Sequence, residues 1–581
     1  MFIVLIIFLS PCVDRKLIMH EETDSALYHN RNNINILANT PFYFLRSFYE
    51  WTGNIGSMNT PQSNNPNLSI QTLNIPPREI KIRTVYDETT TNSDSITVPN
   101  PIPEPINPST VGAECIKIDT DEAAGTLKSH QVNIDFNGRP TIGDLDNDGI
   151  PDLVMANRNR IAAYSICGKK LWDISTKTNW DYSRHYFWNY TTYGFIGDAD
   201  GDLKAEFLHF GNDWRTLFIR DGKTGNIKQT IQLSPGEQWM YVLLAQRAED
   251  TPKSSTRIIV TSASYDTSVN ITAIDIRSGS PNIEWTFSRE VKDNGMFVYL
   301  TPQVANLDGV GGDEIFFGSI ALNEHGKLIW LVDANNMTEG RGLCAATVKD
   351  LDPSRTGLES VFSLYSPINN YPSLLAYGYT TGNKQLFSTL SPDSQKHPHQ
   401  HTIGDFDPDS YGLEILVRNN DGFNHWMTNY QGKVIKKDWR IYPGWDNAGE
   451  YVQGIEWDHI IGTEILYIER HVPNPINHGQ KSKLAIASPI SNKILIKQFS
   501  GAVVEDPTNW EGVHNQPNFN PYEAMAIVVD LFGDGREEIL TWGGSSFTIY
   551  YNSGDKNVPK RWGDPQYEKF KKISCPLYSP R

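Results

Sequence analysis

Basic residues, cysteines and long apolar runs are all scarce in this 581-residue chain. Lys and Arg number 51 against 68 Asp and Glu, which gives a formal net charge of −17. A surface this acidic repels nucleic-acid phosphates and anionic lipids, so we expect neither a nucleic acid nor a membrane as a partner. The sequence also shows no phosphate-binding glycine loop, no dinucleotide fingerprint and no evident Ser-His-Asp grouping, which argues against those enzyme classes.

One apolar run stands at the start of the chain, over residues 2–9. It is too short to span a bilayer but has the length of a signal-peptide core, although the usual basic residues before it are missing. We therefore predict a signal peptide over 1–13 and a secreted, extracellular protein. Residues 14–112 are rich in Asn, Thr, Ser and Pro, which predicts a mostly disordered, low-complexity segment. A folded domain is expected over 113–575, followed by a tail over 576–581.

The five cysteines fit no zinc-site spacing. If Cys12 leaves with the signal peptide, an even number remains, namely Cys115, Cys167, Cys344 and Cys575. Two disulfides, one of which could join Cys115 to Cys575 across the ends of the domain, and four buried thiols are both compatible with this count. The chain also carries four Asn-x-Ser/Thr sequons, which predict a glycoprotein. They begin at Asn67, Asn189, Asn270 and Asn336.

An acidic motif recurs along the domain. Its clearest copy is Asp144-Leu-Asp146-Asn-Asp148-Gly-Ile-Pro-Asp152, in which carboxylates alternate through a loop that contains a glycine. Alternate side chains of such a loop converge on one centre, and carboxylate oxygens are the ligands that Ca²⁺ prefers. Further copies begin at residues 198, 306, 350, 405 and 530, and degenerate ones lie at 248–250 and 456–464.

We therefore predict Ca²⁺ as a cofactor, held by these acidic loops, which resemble those of FG-GAP repeats. The candidate ligands are Asp144, Asp146, Asp148, Asp152, Asp198, Asp200, Asp202, Glu206, Asn306, Asp308, Glu314, Asp350, Asp352, Glu359, Asp405, Asp407, Asp409, Glu414, Asp530, Asp534 and Glu538.

Short apolar strands separated by Gly, Asn and Asp turns follow each acidic loop. A repeat of about 40–50 residues built from short strands is typical of a β-propeller, in which stacked blades bury one another's faces. The eight copies predict an all-β, eight-bladed propeller. Two of them are degenerate, so seven blades is the alternative.

Several of these loops resemble one enzyme family. Pro302-Gln-Val-Ala-Asn-Leu-Asp-Gly, Asp350-Leu-Asp-Pro-Ser-Arg-Thr-Gly-Leu-Glu359 and Asp530-Leu-Phe-Gly-Asp-Gly-Arg-Glu-Glu538 are similar, in this order, to motifs of the rhamnogalacturonan lyases of polysaccharide lyase family 11. The resemblance covers about residues 130–570. It implies a calcium-rich eight-bladed propeller that cleaves the pectin backbone by β-elimination. Simple calcium loops also occur in non-catalytic propellers, so these loops alone do not settle the activity.

The chain departs from the family at basic positions. The family's Gly-Arg-Gly before one Asp-x-Asp-Pro loop is replaced by His399-Gln-His401, while Gly-Arg341-Gly precedes the previous loop. The family's lysine before the last acidic loop is absent, and Tyr522 lies in that region.

β-Elimination needs a group that neutralises the uronate carboxylate and a base that takes the neighbouring proton. We predict Arg341 for the first role, His399 or His401 for the second, and Tyr522 as a further proton-transfer group. Alternate strand residues share a face, which favours the histidine pair, and neither histidine is expected in the core. Trp188 and Trp445 are candidates for stacking on sugar rings.

The function we predict is a secreted polysaccharide lyase that cleaves a rhamnogalacturonan-like pectic backbone by calcium-assisted β-elimination, acting as a monomer on an acidic polysaccharide. The alternative is a non-catalytic, calcium-stabilised propeller that binds glycan or protein. A hydrolase with paired carboxylates also remains open, because the acidic residues are too numerous to assign individually.

Overall fold

The structure is a computed structural model, and the part of the chain that it describes is entirely strands and turns. Within that part, no helix has the length and hydropathy needed to cross a membrane. The described residues are 116, 126–135, 139–156, 160–175, 194–211, 215–234, 239–250, 255–263, 268–290, 302–331, 342–365, 372–378, 385–392, 398–407, 409–419, 425–437, 451–458, 462–469, 481–489, 491, 493–503, 526–532, 536–543 and 546–553.

The described strands form eight four-stranded antiparallel sheets, so the prediction of an eight-bladed all-β propeller is confirmed and the seven-bladed alternative is wrong. The strands of each blade are given from the inner to the outer one. Blade 1 contains β2 (Arg139–Gly143), β3 (Asp152–Ala156), β4 (Arg160–Ser165) and β5 (Lys170–Ser175), and blade 2 contains β6 (Phe195–Gly197), β7 (Glu206–Phe210), β8 (Thr216–Asp221) and β9 (Ile227–Gln232). Blade 3 contains β10 (Trp239–Ala245), β11 (Arg257–Ala263), β12 (Ser268–Asp275) and β13 (Asn282–Glu290), and blade 4 contains β14 (Gln303–Ala305), β15 (Glu314–Phe317), β16 (Ile320–Leu322) and β17 (Leu328–Leu331).

The second four blades follow the same order. Blade 5 contains β18 (Gly342–Lys349), β19 (Glu359–Tyr365), β20 (Leu374–Gly378) and β21 (Gln385–Thr389), and blade 6 contains β22 (Pro398–Gly404), β23 (Glu414–Asn419), β24 (His425–Thr428) and β25 (Val434–Lys436). Blade 7 contains β26 (Tyr451–Ile455), β27 (Glu464–Glu469), β28 (Lys481–Ser488) and β29 (Lys493–Val503), and blade 8 contains β30 (Ala526–Val529), β31 (Glu538–Gly543), β32 (Ser546–Ser553) and β1 (Thr126–Asn133).

Blade 8 closes the ring with strands from both ends of the domain. Its outer strand is β1, the first of the described strands, which pairs antiparallel with β32, the last of them, from Thr126↔Ser553 to Asn133↔Ser546. Closure of this kind removes the free sheet edges that an open array would expose. The two degenerate repeats found in the sequence are blades 3 and 7.

The core lies between the blades, because each sheet buries both faces against its neighbours. After their closing residue, the second strands are therefore mostly apolar, and in Asp152-Leu-Val-Met-Ala156 every residue is buried. The third strands are similar. Neighbouring inner strands contact one another around the ring, for example β2 with β6 and β22 with β26.

Aromatic side chains on three of the outer strands pack against a turn of the next blade. Trp172 of blade 1 donates from Nε1 to the carbonyl oxygen of Gly222 at 2.6 Å and packs on Gly225 in the turn of blade 2. A Cβ at position 225 would come within 2.7 Å of that indole, and the turn has a φ of +71°, so both contact and backbone require glycine. Trp285 packs in the same way on Gly326, and Phe387 on Gly432.

Two recurring positions matter for the site, one found in all eight blades and one in seven. The residue that begins the second strand and pairs with the end of the first is called here the closing position, and it is acidic in seven blades and Arg257 in blade 3. In blades 1 to 7 the outer strand carries one extra residue, a β-bulge at the same register. The residues at this bulge position are Leu171, Lys228, Glu284, Ile329, Leu386, Ile435 and Leu495.

Candidate functional site

The acidic loops join the first strand of a blade to the second, and they gather at one end of the ring. Backbone hydrogen bonds link loops of successive blades there, as from Leu413 N–H to Leu351 O at 3.1 Å and from Thr463 N–H to Asp405 O at 2.6 Å. This end of the ring is called here the loop end. The acidic loops of successive blades are therefore neighbours at this end.

In the blade 1 loop, the predicted carboxylates converge. Oxygen atoms of Asp144, Asp146 and Asp152 lie within 4.8 Å of one another. Asp144 accepts hydrogen bonds from the N–H groups of Asp148 and Gly149, each at 3.1 Å, while Asp148 itself is exposed. Burial, helped by the neighbouring Asp146, Asp148 and Asp144 carboxylates, raises the pKa of Asp152 to about 8. Such a cluster favours a bound cation.

The blade 2 loop has the same construction with one addition. Oxygen atoms of Asp198, Asp200 and Glu206 lie within 4.8 Å of one another. The ammonium of Lys228 reaches this group from the outer strand, with Nζ at 2.6 Å from Asp200 Oδ2, 3.3 Å from Asp202 Oδ2 and 2.7 Å from Glu206 Oε1. The sequence analysis identified the carboxylates but not the lysine that lies among them.

The closing acids share one backbone contact. One oxygen of Glu206, Glu414 and Glu464 accepts a loop N–H, from Ala199, Asp407 and Trp457 respectively. The other oxygen, Oε1, of Glu414 and of Glu464 is buried and has no hydrogen-bond partner in the described structure. Burial raises the pKa of Glu414 to about 8, as it does for Glu314 and Glu359.

A buried carboxylate oxygen without a donor is costly unless a cation or a proton compensates it. Hard oxygen donors that converge in a loop suit Ca²⁺, so the residues present fit this ion. Asn306 has a different environment, because its side-chain amide donates to Gly311 O at 3.0 Å. Asp308 and Asp352 accept N–H bonds within their own loops, and Asp409 is exposed. Asp534 lies outside the described residues.

Blade 3 replaces the acidic loop with arginine. Its closing residue, Arg257, and the loop residue Arg247 are both buried. Glu284, at the bulge position, accepts from Arg257 Nε at 2.9 Å and also pairs with Arg247. The degenerate repeat at 248–250 is therefore a blade whose loop is held by ion pairs within the chain.

The predicted catalytic residues fall mostly outside the described part of the chain. Arg341, Tyr522, Trp188 and Trp445 all do, and His399 is described only through its backbone in β22. The register of that strand passes directly from Pro398↔Asn419 to Gln400↔Arg418, which makes His399 a bulge residue. The alternation that paired His399 with His401 on one face does not apply across a bulge, so that argument is wrong.

His401 lies in the core, contrary to expectation. It is 5% exposed, and Nδ1 is 2.7 Å from the hydroxyl of Ser363 in blade 5. Burial lowers the pKa of His401 to about 3, so the imidazole is neutral at physiological pH. A periodic strand pattern does not show which face is covered by a neighbouring blade, which is why the sequence left this side chain outside the core.

The predicted base and the predicted calcium loop of blade 6 are at opposite ends of β22. His399 is the second residue of this strand and Asp405 follows its last residue. Six residues at about 3.3 Å each separate the two backbones by roughly 20 Å. An ion in that loop is therefore too far away to touch a substrate group that is within reach of His399.

Three buried polar residues were missed by the sequence analysis, namely Arg418 and His425 in blade 6 and Tyr467 in blade 7. Arg418 is the register partner of both Gln400 and His425, and the His425 ring meets the Tyr467 ring edge-on at 5.6 Å. All three are at most 2% exposed. The available signal was a charged residue in the otherwise apolar run Ile415-Leu-Val-Arg418.

Two expectations on covalent modification are tested. Cys167 is disulfide-bonded, so the alternative of four free thiols is wrong. Cys115 and Cys575 lie outside the described residues, so the predicted bridge between them stays a prediction. Asn270 is 6% exposed in β12, and its side-chain oxygen accepts from Ser288. A glycan on this buried side chain would not fit the folded blade. The other three sequons lie outside the described residues.

Comparison with known proteins identifies the family. Residues 253–557 match the model of the C-terminal domain of rhamnogalacturonan lyase family 11, which is more than half of the chain. The chain therefore belongs to this family. The matched range begins in blade 3 and ends after β32 in blade 8.

Two curated relatives come from Bacillus subtilis (strain 168). The rhamnogalacturonan endolyase YesW is 24% identical over 469 residues, 71% of this chain and 66% of its own length. The rhamnogalacturonan exolyase YesX is 26% identical over 473 residues, 71% of this chain and 70% of its own length. The chain thus spans about two thirds of the length of these relatives.

Their crystal structures share the fold. The exotype lyase YesX superposes with a TM-score of 0.52 at 18% identity, covering 75% of this chain and 76% of that one. YesW gives a TM-score of 0.50 at 20% identity, covering 76% and 75%. At these identities the likeness concerns the propeller itself.

Proposed function

We propose that this protein is a lyase that cleaves a rhamnogalacturonan-like acidic polysaccharide by β-elimination. The observation that carries the proposal is the family match over residues 253–557. One curated relative is described as an endolyase and the other as an exolyase, so the family does not fix whether cleavage occurs within or at the end of the polymer.

The reaction removes the proton next to the uronate carboxylate, forms a carbon–carbon double bond and expels the glycosidic oxygen, which takes up a proton. Arg341 is proposed to pair with the carboxylate, since a guanidinium binds carboxylates bidentately. His399 is proposed as the base, with Tyr522 as a further proton-transfer group. The buried His401 is assigned instead to positioning β22 through its bond to Ser363. Trp188 and Trp445 remain proposed sugar-stacking residues.

Calcium is proposed to hold the acidic loops. When bound, such an ion supplies the counter-charge for converging carboxylates and thereby fixes the connection between the first and second strands. The distance of roughly 20 Å along β22 separates this role from the chemistry near His399. Neutralisation of the substrate is therefore assigned to Arg341.

Secretion is proposed from the amino-terminal apolar run together with the disulfide at Cys167, because disulfides persist mainly in oxidising compartments. We further propose that the protein acts as a monomer on its polysaccharide. Mass measurement of secreted protein would show whether cleavage follows residue 13 or another position.

The activity is tested by incubating the full chain with pectic rhamnogalacturonan and calcium while following ultraviolet absorbance. An unsaturated uronide is expected, and product lengths will distinguish internal from terminal cleavage. Release of sugar without new absorbance would indicate a hydrolase. Binding without any release would indicate a non-catalytic propeller.

Two histidine variants separate chemistry from folding. His399→Ala should lower turnover by about 10²–10⁴, the usual contribution of a general base, with the melting temperature nearly unchanged. His401→Ala should lower the melting temperature, because it leaves the buried Ser363 hydroxyl without its partner, at a cost of about 1–3 kcal/mol. Full turnover in His399→Ala would remove this residue from the mechanism.

A further inference from the structure

The bulge position of the outer strand carries an unusual pattern of charge. Five of the seven bulge residues are Leu or Ile, and only blades 2 and 3 have a charged residue there. In blade 2, Lys228 meets the closing acid Glu206 at 2.7 Å. In blade 3, Glu284 meets the closing base Arg257 at 2.9 Å. The two blades thus hold the same pair of positions with the signs of charge reversed.

A reversal at equivalent positions shows that the bulge residue points toward its own blade's loop and acts as a counter-charge. Two neighbouring repeats would not both place a charge at this point, each opposite in sign to its closing residue, if the bulge merely faced solvent. Lys228 is consistent with this role, since its side chain is 28% exposed and contacts three loop carboxylates.

The closing acids of blades 6 and 7 supply the contrast. Glu206, Glu414 and Glu464 each use Oε2 to accept a loop N–H. Glu206 Oε1 then receives Lys228, whereas Oε1 of Glu414 and of Glu464 is buried with no hydrogen-bond partner in the described residues. The bulge residues of these two blades are Ile435 and Leu495, which can donate nothing. The same oxygen is therefore bonded to an ammonium in blade 2 and has no hydrogen-bond partner among the described residues in blades 6 and 7. Lys436 of blade 6 is near enough to Glu414 to interact with its charge, but its ammonium donates to Pro489 O at 3.2 Å.

We propose that the bulge residue decides whether a loop takes a metal ion, and that Lys228 occupies the cation position of the blade 2 loop so that this loop binds no divalent cation. This rests on the proposed calcium sites of the other blades. Of the carboxylates predicted as ligands, Asp200, Asp202 and Glu206 are thereby reassigned to ion pairs with Lys228. Asp198 is reassigned to hydrogen bonds from the N–H groups of Gly201 and Leu203. Lys228 reaches the loop from β9 and so fastens the outer strand to the inner edge of the blade, which a metal ion in the loop alone would not do.

The test removes the charge from the bulge residue of blade 2 and places one at the bulge residue of blade 1. Bound calcium is counted by elemental analysis after exhaustive dialysis of the full chain. Lys228→Met removes the ammonium but keeps an unbranched side chain, and it should gain one calcium per chain. Leu171→Lys should lose one, because the new ammonium can reach the Asp144 loop. Lys223→Met, on the exposed turn of the same hairpin, is the matched control and should leave the count unchanged.

The outcomes separate this inference from the proposed calcium sites. An unchanged count in Lys228→Met would overturn the inference, and so would loss of one calcium from the native chain on Asp198→Asn, since that loop should hold none. A native chain without calcium would contradict the calcium sites, while a gain of one ion in Lys228→Met would still support the role of Lys228. If Leu171→Lys fails to fold, the Lys228→Met and Asp198→Asn counts remain decisive.

Discussion

Blade 3 and blade 6 bury charge at the same position but obtain the counter-charge from different sources. Blade 3 places Arg257 at the closing position, where it pairs with Glu284 of its own outer strand at 2.9 Å, and Glu324 in a turn of blade 4 lies 3.8 Å away. Blade 6 places Glu414 there, fully buried, and leaves one of its oxygens without a hydrogen-bond donor in the described structure. The closing residue has the same backbone register in both blades, because Ala245 pairs with Arg257 in blade 3 and Gly404 pairs with Glu414 in blade 6.

The comparison shows that the propeller requires compensation at the closing position but not a particular sign. A buried ion costs several kcal/mol unless it is paired, so a blade whose closing acid is bonded to no base depends on a proton or on a cation from solution. In blade 3 the compensating carboxylate, Glu284, belongs to the blade's own outer strand. The stability of blade 6 should therefore depend on calcium and pH, and that of blade 3 should not.

Removal of calcium should have the largest effect. At a concentration about a thousandfold above its dissociation constant, each ion that binds only the folded state adds about 4 kcal/mol to the free energy of unfolding. Several sites together predict that a strong chelator lowers the melting temperature by many degrees. Differential scanning calorimetry in calcium and in chelator measures this, with re-addition of calcium as the control. An unchanged melting curve would show that the acidic loops are not metal sites.

A smaller loss is expected from breaking the internal network of blade 3. Glu284→Gln keeps the shape of the side chain but leaves Arg257 and Arg247 short of a carboxylate, which should cost about 3 kcal/mol. The loss should be equal in calcium and in chelator, since no metal takes part. Glu290→Gln, exposed on the same strand, is the matched control. A loss that calcium abolishes would contradict the assignment of blade 3 as a metal-independent blade.

The sequence was sufficient for the repeat and insufficient for its exceptions. Alternating carboxylates followed by apolar strands predicted eight blades, including blades 3 and 7, because repetition averages over individual departures. Lys228 was invisible because it lies 22 residues beyond Glu206, and only the bulge in β9 brings the two together. The burial of His401 likewise depends on Ser363 in another blade, 38 residues away. Contacts between strands and between blades decide both cases, and no local pattern encodes them.

A further expected effect is a pH dependence confined to calcium-free protein. Burial raises the pKa of Glu414, and likewise of Glu314 and Glu359, to about 8 from an ordinary value of 4.5. Between these values the folded chain holds more protons than the unfolded chain, so the free energy of unfolding falls as the pH rises from about 4.5 to 8.

Calcium should suppress this fall, because a bound ion compensates the ionised carboxylates over the whole window. We therefore expect the melting temperature in chelator to be lower at pH 8 than at pH 5, and the difference to shrink or disappear in saturating calcium. Glu414→Gln, which cannot ionise at this position, should lose part of the pH dependence in chelator. A melting temperature that rises with pH in chelator would mean that the closing acids are already compensated within the chain, and blade 6 would then resemble blade 3 rather than contrast with it.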